Sequence, residues 1–199
     1  MRSILIFIVI SLFTNCTKHE QRNETINKVT DAEIYEIVNA ILEDESKSLK
    51  KDGINYDLYK YLLDQDFSSE IFSKHDSLAF IKTDTVFSKG DLEFINMQIN
   101  ERKKFKFQQE FIKSKVLISS DTIIQLIDQA YNDRSNDFYD LFITKFGNHR
   151  YYTIGVPLFS LDKKTAFIKI DSYPGSGHTM IYKKINGKWK FYCFGVAWT

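Results

Sequence analysis

The spacing of apolar residues changes period near residue 150, and that switch limits the fold more than any other feature. Up to there the apolar positions recur at three and four; beyond it they alternate. Thr30-Asp31-Ala32-Glu33 has the form of a capping box, with Ile34, Ile37, Val38, Ile41 and Leu42 behind it. This predicts an amphipathic helix over about 31–49, with Gly53 as its stop. Ser88-Lys89-Gly90-Asp91 opens a second helix with Leu92, Ile95 and Ile99 on one face. Ser119 or Ser120 caps a third, carrying Ile123, Ile124, Ile127 and Ala130. Asn136 caps a fourth, carrying Phe138, Leu141, Phe142 and Phe146 and ending at Gly147-Asn148. Between them, Val116-Leu117-Ile118 reads as a short strand, and so does Leu78-Ala79-Phe80-Ile81. Tyr56, Leu58, Tyr59, Tyr61, Leu62 and Leu63 suit a strand or a helix equally.

After the switch, Tyr151 to Phe159, Ala166 to Tyr173, His178 to Ile185 and Lys188 to Trp198 read as strands. Asn186-Gly187 joins the last two. Both central residues of a type I′ turn need positive φ, and this pair supplies it at low cost. Pro174-Gly175-Ser176-Gly177 and Leu161-Asp162-Lys163-Lys164 make the earlier reversals. The expected fold is α+β: N-terminal helices packed on one face of a C-terminal antiparallel meander of about four strands. With 199 residues, 43% hydrophobic and 27% charged, residues 30–199 can build one globular domain.

The N-terminus has a different character. Arg2 is followed by Ile4 to Phe13, an uncharged run of ten residues, ILIFIVISLF. That is the length of a signal-peptide core and short of the roughly 20 residues needed to span a bilayer. The run closes on Phe13-Thr14-Asn15-Cys16 and turns abruptly polar at Thr17-Lys18-His19-Glu20. An apolar leader stopping at a cysteine resembles the lipobox of bacterial lipoproteins, in the relaxed form familiar in Bacteroidota. Phe13 and Asn15 stand where the common pattern has Leu and a small residue. The resemblance implies that residues 1–15 are a signal peptide and that Cys16 is acylated. Residues 16–29 would then be a lipidated start and polar tether, whose coil reaches roughly 20 Å. A secretory leader with a coincidental cysteine is the alternative, and it lacks an A-x-A-like cleavage site nearby. Near the other end, Pro157-Leu158-Phe159-Ser160 with Asp162, Asn186-Gly187-Lys188-Trp189-Lys190 and Trp198 resemble the ends of small Bacteroidota lipoproteins and secreted proteins. That likeness spans about residues 85–199. It implies a fold and an origin but no activity.

Charge and motifs narrow the chemistry. The chain holds 27 Lys and Arg against 26 Asp and Glu, so no net field draws it to nucleic acid. With Cys16 acylated, Cys193 is left alone and reads as a small apolar core residue. The four histidines form no metal-binding spacing; a metal would need His149, Asp171 and His178 to converge from separate segments. Gly175-Ser176-Gly177 superficially resembles a phosphate loop but opens no helix, so it reads as a hairpin turn. Residues 101–115, ERKKFKFQQEFIKSK, interleave bases with Phe105, Phe107 and Phe111. They suit contact with anionic lipid or an acidic partner, or a helix end with aromatics inward and lysines outward.

These readings lead to a lipid-anchored cell-envelope protein carrying a non-catalytic binding module, with no cofactor. Its partners would be the membrane, through the anchor, and a protein or envelope ligand, met near Tyr173, His178 and Trp198. An envelope hydrolase built from scattered residues and an immunity or inhibitor-type protein are the alternatives. Acylation makes a direct prediction. Cells fed an alkyne fatty acid should label the chain, and Cys16→Ala should abolish the label. An unlabelled wild-type chain would remove the anchor from the account.

Overall fold

Thr30 begins the first helix as its neighbours lead one to expect. Its hydroxyl accepts from the Glu33 N–H at 3.3 Å, and the Glu33 carboxylate accepts from the Thr30 N–H at 2.8 Å. In the computed structural model, which describes residues 28–53, 58–65, 86–133, 137–173, 175 and 177–198, this helix is α1, Asp31–Lys51. There follow β1 (Tyr61–Leu63), α2 (Lys89–Glu101), β2 (Val116–Ile118), α3 (Ser120–Asn132) and α4 (Phe138–Phe146). The C-terminal part supplies β3 (Tyr151–Ile154), β4 (Leu158–Phe159), β5 (Thr165–Tyr173), β6 (Gly177–Ile185) and β7 (Lys188–Trp198). The fold is α+β. Leu78–Ile81 and Tyr56 lie outside the described residues.

The meander is present, with more strands than expected. Seven strands form one mixed sheet of order β2-β1-β3-β5-β6-β7, with β4 also on β5. β1 lies parallel to both β2 and β3, while every pair from β3 onward is antiparallel. Strands of three residues, YLL and VLI, are too short to show a period, so the parallel edge is hard to see in the sequence. The expected strand Tyr151–Phe159 is split into β3 and β4 around Pro157, which has no N–H to give a ladder.

Helices cover both faces rather than one. Leu62, Tyr152, Ile154, Ile168, Met180 and Tyr182 share a face and pack under α1. Their odd-numbered neighbours Tyr61, Leu63 and Tyr151 turn the other way, onto Ile123, Leu126 and Phe142 of α3 and α4. Phe167 and Ile181 share that second face and meet Ile95 of α2. Every expected apolar position of α1 is buried. In α3 the buried apolar positions are Ile123 and Leu126, and Ile124 and Ile127 are exposed, because only a narrow stripe of this helix touches the sheet. Ser119 is its cap. Asp137 caps α4 in place of Asn136, which lies outside the described residues. Asn186 and Gly187 have φ of 51° and 76°, the type I′ values that the pair predicts.

Side-chain amides complete backbone pairing where strands stop. Gln98 of α2 is buried; its Nε2 donates to the Phe159 carbonyl at 2.8 Å and its Oε1 accepts from the Phe159 N–H at 2.9 Å. One glutamine thus substitutes for a neighbouring strand along β4. Asn39 does the same for Phe111 and Lys113, and Gln109 for Lys115 and Leu117. Gln98→Met keeps the volume and removes both bonds. Leaving a buried donor and acceptor unpaired should lower stability by about 2–4 kcal/mol. Urea denaturation measures this, and an unchanged midpoint would show that Gln98 only fills space.

Candidate functional site

The β6–β7 hairpin carries a surface that the rest of the molecule leaves uncovered. Its tight Asn186-Gly187 turn sets the register, pairing Ile185 with Lys188, Lys184 with Trp189 and Lys183 with Lys190. From Gly177 to Trp198 there are four lysines and no acidic residue. Lys184 is tied to Glu36 of α1 at 2.8 Å. β7 is the edge of the sheet among the described residues.

Two register irregularities, between His178 and Met180 and between Ile181 and Tyr182, reshape this edge. Between Phe191, opposite Tyr182, and Cys193, opposite Ile181, β7 holds one extra residue, Tyr192. A bulge of this kind breaks strict alternation and turns apolar side chains outward on both faces. Phe191, Tyr192 and Phe194 are 42%, 52% and 64% exposed. Phe191 and Phe194 touch with centroids 4.6 Å apart, and His178 meets Phe194 edge-on at 5.3 Å. Both phenylalanines share the α1 face of the sheet, since their cross-strand partners Tyr182 and Met180 lie in that core. The Lys183 ammonium sits 3.6 Å from the Tyr192 ring centroid, on the opposite face. The result is a blade of aromatic rings on both sides of one strand, flanked by ammonium groups.

The residues singled out from sequence are divided between surfaces. His178 belongs to the blade. Trp198 pairs with Gly177 at the far end of the same hairpin. Tyr173 lies on the other face, stacked on Tyr151 at 5.3 Å and edge-on to Phe138 at 5.1 Å. His149 meets Tyr61 edge-on at 5.6 Å, and Asp171 pairs with Lys169 at 3.0 Å. Among the described residues no group of three His, Cys, Asp or Glu is placed to hold a metal. Cys193 is half-buried and packs near Phe167 and Ile181. Phe191, Tyr192 and Phe194 were not evident from sequence as a surface. Their only signal is a run of apolar residues at both parities beside lysines.

Glu45 and Tyr182, near the α1 face, have shifted acidities. Burial, with the neighbouring Asp44 charge, raises Glu45, and Lys115 offsets part of this. Burial also raises the Tyr182 hydroxyl, helped by Asp44 and Glu45.

His178 is more informative. Its Nε2 is buried with no hydrogen-bond partner among the described residues. Burial lowers its pKa below the usual 6.5, with Asp171 pulling weakly the other way. The neutral imidazole is therefore the form the fold prefers. Its contribution is intact above about pH 6.5, the unfolded value, and falls as pH drops toward the lower folded pKa. Melting temperature should drop between pH 7.5 and 5.5, and by less in His178→Gln; equal drops would refute this. Compared with family models, with curated proteins and with solved structures, the chain matches none.

Proposed function

We propose that this chain is a lipid-anchored cell-envelope protein whose folded domain binds a protein partner through the aromatic blade of β7. The observation that carries the reading is the exposure of Phe191, Tyr192 and Phe194 beside lysines on a strand without acids. Exposed aromatic residues are costly in water, and they are enriched where partners dock.

Shape and charge describe the partner. Rings on both faces of one strand suit a groove better than a plane. Lipid would also leave the outward backbone groups of the edge without hydrogen-bond partners, whereas a protein groove can supply them. Lys188 and Lys190, with the bulge, are devices that resist edge-to-edge pairing, so recognition runs through side chains rather than through an added strand. The four hairpin lysines call for acidic groups at the groove's rim. The tether implied by residues 16–29 would present this blade close to the membrane surface.

A photo-crosslinking residue at position 194 should trap a specific protein in cells, while one at the exposed Gln129 of α3 should not. Phe191→Ser with Phe194→Ser should weaken binding of the identified partner at least tenfold, about 1.4 kcal/mol or more. Because neither ring belongs to the buried core, the melting temperature should fall only slightly. Undiminished binding by the double variant would end the proposal.

A further inference from the structure

We propose that a second, separate site, the cationic cleft between Tyr59–Lys60 and the segment leading into β2, binds a phosphate-bearing small ligand. The cleft encloses about 520 Å³ and is lined by Lys60, Lys113, Lys115 and His149, with Tyr59 and Ser114 beside them. No carboxylate lines it among the described residues. That is uncommon in a chain whose acids and bases balance. Arg102, Lys106, Lys163, Lys169 and Lys184 each face an acid. Lys60 and Lys113 form no close ion pair among the described residues, although the Lys113 charge acts at longer range on Glu43.

The lysines are also braced. The Asn39 side chain donates to the Phe111 carbonyl at 2.8 Å and accepts from the Lys113 N–H at 3.0 Å. Gln109 donates to the Lys115 carbonyl at 3.0 Å and accepts from the Leu117 N–H at 2.8 Å. The backbone carrying both lysines is thus clamped, once to α1 and once to itself. Lys115 reaches inward, donating to the Tyr59 carbonyl, with its ammonium 5.2 Å from the Tyr152 ring centroid; it is 4% exposed. A buried ammonium is costly. Its charge also acts on the neighbouring Glu45, and through low-dielectric surroundings, where screening is weak, it adds to the positive lining of the cleft. Lys60 and Lys113, exposed at the mouth, are free to close on an anion. Ammonium groups act as point charges, which suits the multiply charged, rotationally symmetric phosphate. The basic segment 101–115 therefore serves two ends: Arg102 and Lys106 pair with Asp31 and Asp64, and Lys113 and Lys115 line the cleft.

The phosphate could be free or part of a lipid headgroup, and the test separates them. The full chain, held in zwitterionic detergent, is titrated with pyrophosphate in one arm and monomeric dihexanoyl phosphatidic acid in the other. Amide resonances of Lys113 to Val116 and the His149 imidazole should shift saturably in at least one arm. Saturation with pyrophosphate alone assigns a soluble ligand; tighter binding of the lipid assigns a headgroup. Lys60→Ala with Lys113→Ala should raise the dissociation constant at least tenfold, and Lys113→Arg should restore most of it. These side chains are exposed, so the variants should fold. Absence of saturable shifts in both arms overturns the proposal. So does binding that the double variant leaves intact.

Discussion

Everything in this fold leans on the contact between α1 and the sheet. Ile34, Ile37, Ile41 and Leu42 are fully buried there, each contributing about 1.5–3 kcal/mol relative to an exposed position. The same helix reaches the other parts through its flanks. Glu33 takes Lys163 from the β4–β5 turn, and Glu36 takes Lys184 from the tip of β6. Tyr35 accepts from the Gln108 N–H, and Asn39 grips residues 111–113. Asp31 holds Arg102 at the end of α2. One apolar stripe fixes the helix on the sheet, and its polar rim then aligns the segments around it.

What could be read from sequence divides along physical lines. Long elements with a strong period declare themselves: α1 and the three long strands follow from side-chain spacing, and the hairpin turn from Asn186-Gly187. Elements that owe their state to distant partners do not. Tyr61–Leu63 is a strand because β2 and β3 flank it, and nothing within three residues says so. The sidedness of the helices depends on which parity of each strand meets which helix, a relation between segments. The identity of the caps was nearly legible, off by one residue at α4, because Asn and Asp compete for the same role.

The surfaces followed the same division. His178 and Trp198 fall on the hairpin, but the outward rings of Phe191, Tyr192 and Phe194 come from a bulge, a two-strand property. Tyr173 is aromatic and near a strand end, as a binding residue often is, yet it belongs to a ring stack with Tyr151 and Phe138. Of the cleft lysines, Lys113 and Lys115 were visible only as part of a basic run, and Lys60 lies outside it. Which residues of that run pair with carboxylates depends on Asp31, 71 residues from Arg102, and on Asp64 beside Lys106.

The partners of α1 lie late in the chain: Glu36 and Lys184 are 148 residues apart. During synthesis the helix is made first and its cover last. Until the final hairpin emerges, its apolar stripe has no permanent home. Closing so long a loop is slow, and the waiting species is sticky. A message cut short before residue 188 would yield a polypeptide without the strand that walls the core at Trp189, one suited to capture by chaperones and proteases rather than to service.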